Sequence, residues 1–328
     1  MKRLKITVFA LCILASASAS AQEKALDLGL ETRTSFSTEG KASFDYFALY
    51  AKGVIADGFS YYIYGYPNRI AATPSYFDAL AWGMLSYAPS RNWNFEIGKQ
   101  AMEYAGNEYD YKPIDVFTPS EYWNNFAAFQ LALTGQYITE SGDKFSLQAG
   151  ESPFSKHSAG NTLYSFSASA RGSHGGFGYS ASANFIEYSR GDYAAHQVLS
   201  GWAFMGPLKL ELDVINRADA GHVQIMKDFS VVSQAVLTLG KGVQLFARYS
   251  KDKNASDDDF DMLVYRGEDV SVMTEGIMWR PESAEGRVRF HLYYTSVSGK
   301  ESPLHSSVKV GSSSLNFGAT WDIKFIKR

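Results

Sequence analysis

The sequence predicts an all-β fold: a closed antiparallel transmembrane β-barrel, with sixteen strands the best count. Three observations predict it. Segments of about ten residues alternate between apolar and polar side chains, as strands do when their two faces meet different surroundings. Beyond residue 21 no apolar run approaches the ~18 residues of a membrane-spanning helix. The connections between segments also alternate between short and long, as in barrels with tight turns at one rim and loops at the other.

The N-terminus is read separately. Lys2, Arg3 and Lys5 precede an apolar run from Ile6 to Ala15, too short for a span of ~20 residues, and Ala19-Ser20-Ala21 supplies a small-residue cleavage site. Residues 1–21 are therefore expected to be a signal peptide and 22–328 the barrel, exported through the Sec pathway. Removing those three basic residues takes the formal charge of the 328-residue chain from −3 to −6. That balance excludes the basic footprint of a nucleic-acid binder. The one cysteine, Cys12, leaves with the signal, which excludes a disulfide scaffold and a Cys-based zinc cluster.

Along the remaining chain, strands are expected at 24–37, 42–55, 58–67, 77–88, 92–101, 125–139, 143–152 and 162–171. The second half places them at 175–188, 195–205, 207–216, 227–239, 242–251, 270–280, 286–297 and 311–326. The last is the clearest: Leu315, Phe317, Ala319, Trp321, Ile323 and Phe325 share one face, and Asn316, Gly318, Thr320, Asp322 and Lys324 the other. The segment before it sets Val288, Phe290, Leu292 and Tyr294 opposite Arg287, Arg289, His291 and Tyr293. The third, fourth and fourteenth segments carry the weakest pattern. Turns after even strands are short, as at 56–58, 89–91 and 206–207. Connections after odd strands are mostly longer, notably 102–124, 153–161, 252–269 and 298–310, with 38–41 the exception. A soluble β-sandwich shares the signal peptide and the alternation. It does not call for charges in strand middles opposite an apolar face rich in Tyr, Trp and Phe, which a barrel with aromatic girdles does.

One stretch carries a family resemblance. Ile97-Gly98-Lys99-Gln100, then Tyr104 to Ile114, then Trp123 to Phe129 resembles the phosphate-selective porin O and P family in its Bacteroidetes branch. The resemblance implies a pore-forming outer-membrane barrel, commonly a homotrimer, that passes small hydrophilic solutes or ions. The expected partners are outer-membrane lipid and lipopolysaccharide, and neither a cofactor nor a nucleic-acid partner is expected. The sharp match covers about 35 residues, and the rest agrees in architecture.

For a pore the working surface is the inward face. The polar side of the strands offers Arg33, Arg171, Lys209, Arg248, Arg287, Arg289 and Lys324 against Asp27, Glu31, Glu96, Glu211, Asp213 and Asp322. These balanced charges either set selectivity or merely solvate the lumen by cross-strand pairing. The 102–124 connection carries Glu103, Glu108, Asp110, Asp115 and Glu121 against Lys112 alone, interleaved with Tyr104, Tyr109, Tyr111, Phe117 and Tyr122. It is expected to fold into the barrel and narrow it, aromatics against the wall and acids toward water; the alternative is a loop lying over the mouth. Asp252, Asp257, Asp258, Asp259 and Asp261 read as a solvated loop, because the Gly turn and final Glu of an EF-hand are missing. Six histidines include no pair at i, i+2 or i, i+4, so no metal site is expected, and no nucleophile elbow marks a catalytic residue. The expected function is a diffusion porin with weak cation preference or none, rather than phosphate selectivity. The alternatives are a non-conducting structural or adhesive barrel and, less favoured, an outer-membrane enzyme.

Overall fold

A computed structural model describes residues 26–67, 79–157, 162–222, 224–256, 259–260, 263–304 and 308–327. The expected signal segment lies outside the described residues, as do Asp257, Asp258 and Asp261. The first eight strands are β1 Leu26–Ser37, β2 Ala42–Ala56, β3 Phe59–Gly65, β4 Leu80–Ser90, β5 Trp93–Ala101, β6 Phe129–Ile138, β7 Lys144–Glu151 and β8 Tyr164–His174. The rest are β9 Phe177–Ser189, β10 Asp192–Met205, β11 Leu208–Asp219, β12 Asp228–Gly240, β13 Val243–Asn254, β14 Asp269–Trp279, β15 Val288–Lys300 and β16 Ser313–Lys327. Each strand pairs antiparallel with its sequence neighbours, and β1 closes on β16 with Glu31 opposite Asp322 and Arg33 opposite Thr320. The barrel has no free edge.

Alternation then sorts the side chains. Leu133, Leu147, Leu199 and Phe317 point outward and are exposed, Leu147 by 70%. A soluble protein rarely leaves so much contiguous apolar surface in water, whereas a lipid-facing wall consists of it. Outward aromatics gather near the strand ends. Phe59 stacks on Tyr87, Trp93 meets Tyr137, and Trp279 stacks on Phe290 at the rim that holds both termini; Phe36 stacks on Phe317 toward the other. These are the two aromatic girdles the composition called for.

At the terminal rim the connections are tight, such as 57–58, 91–92, 175–176, 206–207 and 241–242. At the opposite rim they are mostly long, the longest being 102–128. A second short exception joins 38–41 there: β9 and β10 run on to Ser189 and Asp192, so only Arg190 and Gly191 remain between them. Gly191, at φ +88°, supplies the left-handed backbone such a tight turn needs. Segment six begins at Phe129 rather than at residue 125, because Glu121–Asn125 forms a short helix. Asp252 is not a loop residue: β13 continues to Asn254.

The barrel interior holds a core of its own. Tyr104, Tyr122 and Phe126 from the 102–128 connection pack with inward Ile186, Val198 and Ile215 and with Leu263 and Val264 of the 255–268 connection. That core sets the position of the site.

Candidate functional site

The 102–128 connection is the inward loop. It carries α1 Asn107–Asp110, a 3-10 turn at Pro113–Asp115 and α2 Glu121–Asn125. Helices of four and five residues do not persist alone, so wall contacts must fix them. Gly106, at φ +135°, turns the chain into α1 with a backbone that other residues rarely adopt. Ser120 caps α2, accepting from the Trp123 N–H at 3.2 Å.

The loop first meets a wall of small polar residues. Ser146, Ser165, Ser167, Ser169, Ser180 and Ser182 on β7–β9 are all buried. Their small side chains let the loop backbone come close: the Ala105 N–H donates to Ser182 Oγ at 3.0 Å and the Gly106 N–H to Ser180 Oγ at 3.3 Å. Asp213 on β11 accepts from the N–H groups of Asn107 at 2.8 Å and Glu108 at 2.9 Å. A carboxylate there meets the positive end of α1's first turn.

Four of the loop's five acids, Glu103, Glu108, Asp110 and Asp115, are fastened to wall bases, Asp110 while still exposed, and Glu121 is buried beside Glu268, which corrects the expectation that the acids simply face water. Glu103 accepts from Ser169 Oγ at 2.8 Å and lies 3.7 Å from Arg171 and 3.8 Å from Lys144. Burial opposes its charge, yet the two bases prevail and hold the carboxyl below its ordinary value. Glu108 is 3% exposed, pairs with Arg248, and accepts from the Ser120 N–H and hydroxyl at 2.9 and 2.7 Å. Asp110 pairs with Arg171 at 2.7 Å, Asp115 with Arg289 at 2.7 Å, and Lys112 with Glu31. Arg33 and Arg289 also donate to loop carbonyls, Arg33 to Val116 at 2.8 Å and Arg289 to Ile114 at 3.0 Å. Tyr111 donates to Glu211 at 2.6 Å, and Lys209 lies 2.5 Å from the same carboxylate. Phe117 lies among Phe246, His291 and Tyr293. The loop is thus fastened from β1 through β8 and β11 to β15.

Five wall candidates do not meet the loop this way: Asp27 pairs with Lys52 at 3.5 Å and Glu96 accepts from Asn94 at 2.9 Å, both within the wall, and the other three are Arg287, Asp322 and Lys324. Arg287 is not on the wall: it sits in the β14–β15 turn, exposed and paired with Glu285 at 2.7 Å. β15 begins at Val288, so Arg287 falls in the turn just before the strand whose alternation it continues. Asp322 faces inward, 3.5 Å from the Tyr50 hydroxyl, and Lys324 is exposed close to the end of β16.

Sequence reasoning missed two charged positions and an aromatic wall. Arg217 is fully buried, donates to Asp228 at 2.6 and 3.1 Å and to Ser230 at 2.9 Å, and lies over the Tyr122 ring. Asp252, equally buried, accepts from Ser230 Oγ at 2.5 Å and from the Glu121 N–H at 3.0 Å. Both continue the inward phase of known residues, Asp213 by four positions and Arg248 by four, so extending the strands would have found them. Near Asp252 and Glu121, Glu268 is 1% exposed; burial, with those two carboxyls beside it, pushes its own up to about 8. Inward Tyr46, Tyr62 and Tyr64 with Trp82 line β2–β4, and the Tyr64 hydroxyl donates to Glu31 at 2.8 Å. Among the described residues no three His, Cys, Asp or Glu side chains come together as a metal site.

The two larger chambers of the lumen lie beside that aromatic wall. A chamber of about 500 Å³, lined by Arg33, Tyr46, Trp82 and Trp123, adjoins one of about 390 Å³ lined by Tyr62, Glu96, Lys144 and Arg171. Trp82, Tyr109, Tyr111 and Pro113 belong to both. A third of about 250 Å³ opens between Asp115, Lys209, Arg280 and Arg289.

No family model and no curated protein matches the chain. Solved structures do. The trimer form of OmpT, an outer membrane protein of Vibrio cholerae, is 13% identical with a TM-score of 0.60, over 93% of this chain and all of that one. OmpF of Salmonella typhi, in complex with daunomycin, is 13% identical with a TM-score of 0.62, over 92% and 97%. OprD of Pseudomonas aeruginosa is 11% identical with a TM-score of 0.54, over 94% and 98%. At such identities the likeness is one of fold, and the fold is that of porin-like outer-membrane barrels.

Proposed function

We propose that the protein is a diffusion channel of the Gram-negative outer membrane, passing small hydrophilic solutes through its lumen. One observation carries this reading: a loop fastened inside a closed barrel leaves two adjoining chambers beside the β2–β4 wall. Water-filled lumens of this kind conduct, which supports reading the protein as a channel. It is exported through the Sec pathway, embedded in lipid and lipopolysaccharide, and assembled as a homotrimer like one of the barrels it is similar to. Membership of the phosphate-selective porin O and P family rests on residues 97–129. Phosphate selectivity does not form part of the reading, because each loop-facing wall base in an ion pair has a carboxylate beside it. Purified protein in planar bilayers should give discrete open steps, tripled if trimeric. A sealed bilayer at every voltage would refute the channel.

A further inference from the structure

Three aromatic rings run from one chamber to the next. Tyr62 lines the smaller chamber, Trp82 lines both, and Phe129 lines the larger. Their centroids are 5.6 Å apart from Tyr62 to Trp82, with planes tilted by 49°, and 4.4 Å from Trp82 to Phe129, edge to face, so the rings touch in series and form a stripe. Tyr109 and Tyr111 of the inward loop line the same two chambers. The serine wall of β7–β9 is occupied by loop backbone, so the two adjoining chambers open on the aromatic side.

A path for small ions does not need this stripe. Aromatic faces attract solutes that offer C–H surface, and tyrosine adds a hydroxyl at the ring edge. Hydrogen-bonding groups of both signs line the chamber beside Tyr62: the exposed Lys112 ammonium and the part-exposed Arg171–Asp110 pair. An anion meeting such a pair faces the carboxylate as well as the base. A neutral polyhydroxyl solute uses both, donating to one and accepting from the other. Chambers of about 500 and 390 Å³ lie within the range that holds compact organic ligands.

We propose that the passage binds neutral saccharides, whose ring C–H faces pack along Tyr62, Trp82 and Phe129 while their hydroxyls engage Lys112 and the Arg171–Asp110 pair. This rests on the channel reading and adds the solute class to it.

The test is single-channel current in the presence of maltotriose, with polyethylene glycol of matched size and inorganic phosphate as comparison solutes. Maltotriose should lower the current saturably and with resolved closures, whereas polyethylene glycol and phosphate should not. Trp82→Ala should raise the half-blocking concentration about tenfold, the equivalent of one lost stacking contact, and Trp82→Phe should restore most of it. Tyr62→Ala provides a second variant, and Trp279→Ala, a girdle ring on the outer face, should leave the block as it is. Absence of saturable block in an open wild-type channel, or equal block in Trp82→Ala, overturns the saccharide site alone. No current at all overturns the channel reading, and this inference with it.

Discussion

Placing a charge on the outer face should cost far more than placing it on the inner face at the same depth. Leu133 is the fifth of ten residues in β6 and points outward, 56% exposed, between Ile97 and Ala149 of the adjacent strands. Ten residues at ~3.4 Å each, tilted by ~45°, cover about 24 Å along the barrel axis, close to the ~25 Å apolar band of such barrels. Leu133 therefore sits near mid-membrane. Leu133→Arg should destabilise the barrel by about 2–4 kcal/mol, or about 30- to 700-fold in the folding equilibrium. Gln234 is central in β12, faces inward and already donates to Glu211 at 2.8 Å, so Gln234→Arg gains an ion-pair partner. Thr320 also faces inward but is the poorer control, being 7% exposed with Arg33 and Arg289 as register neighbours. Urea unfolding in lipid vesicles, followed by heat-dependent gel migration, measures both variants. Equal losses for Leu133→Arg and Gln234→Arg would refute the assignment of faces.

Other expectations concern the loops. Arg248→Met strands Glu108 as a buried carboxylate and should cost about 3–5 kcal/mol, part of it regained in Arg248→Met with Glu108→Gln; urea midpoints compare them. The Glu268 carboxyl is raised in the folded state, so the stability it contributes is full below about 4.5 and is lost as pH rises through about 8. Hydrogen exchange at 263–268 should quicken over that window, and Glu268→Gln should flatten the profile. A membrane-impermeant maleimide should label Lys309→Cys on intact cells and spare Lys241→Cys, since the two exposed residues lie at opposite rims.

The barrel was legible because its two faces meet different solvents, so each strand writes its position in a period of two. No strand boundary moved by more than four residues, and the largest shift, at β6, came from a helix that the tyrosine-rich loop had masked. β3 and β4 were hard to read for a physical reason. Tyr62, Tyr64 and Trp82 turn inward while Phe59 and Tyr87 turn outward, so apolar and aromatic groups stand on both faces and the alternation fades. The inward loop was recognisable from its place and composition, but its partners were not. Lys112 meets Glu31 across 81 residues and Glu108 meets Arg248 across 140, and nothing local in either segment records those pairs. The acids therefore looked solvated when they are anchors. That also removes the simple basis for an acidic constriction, since Glu103, Glu108, Asp110 and Asp115 each have a base within ion-pair distance.

The central claim is that the inward loop, fastened to the wall by these pairs, sets the width of the conducting path. Replacing residues 107–119 by a short Gly-Ser linker and measuring single-channel conductance with graded polyethylene glycols tests it most directly. Larger open steps and entry of larger polymers than in wild type are expected. The same conductance and the same polymer cut-off in both proteins would contradict it.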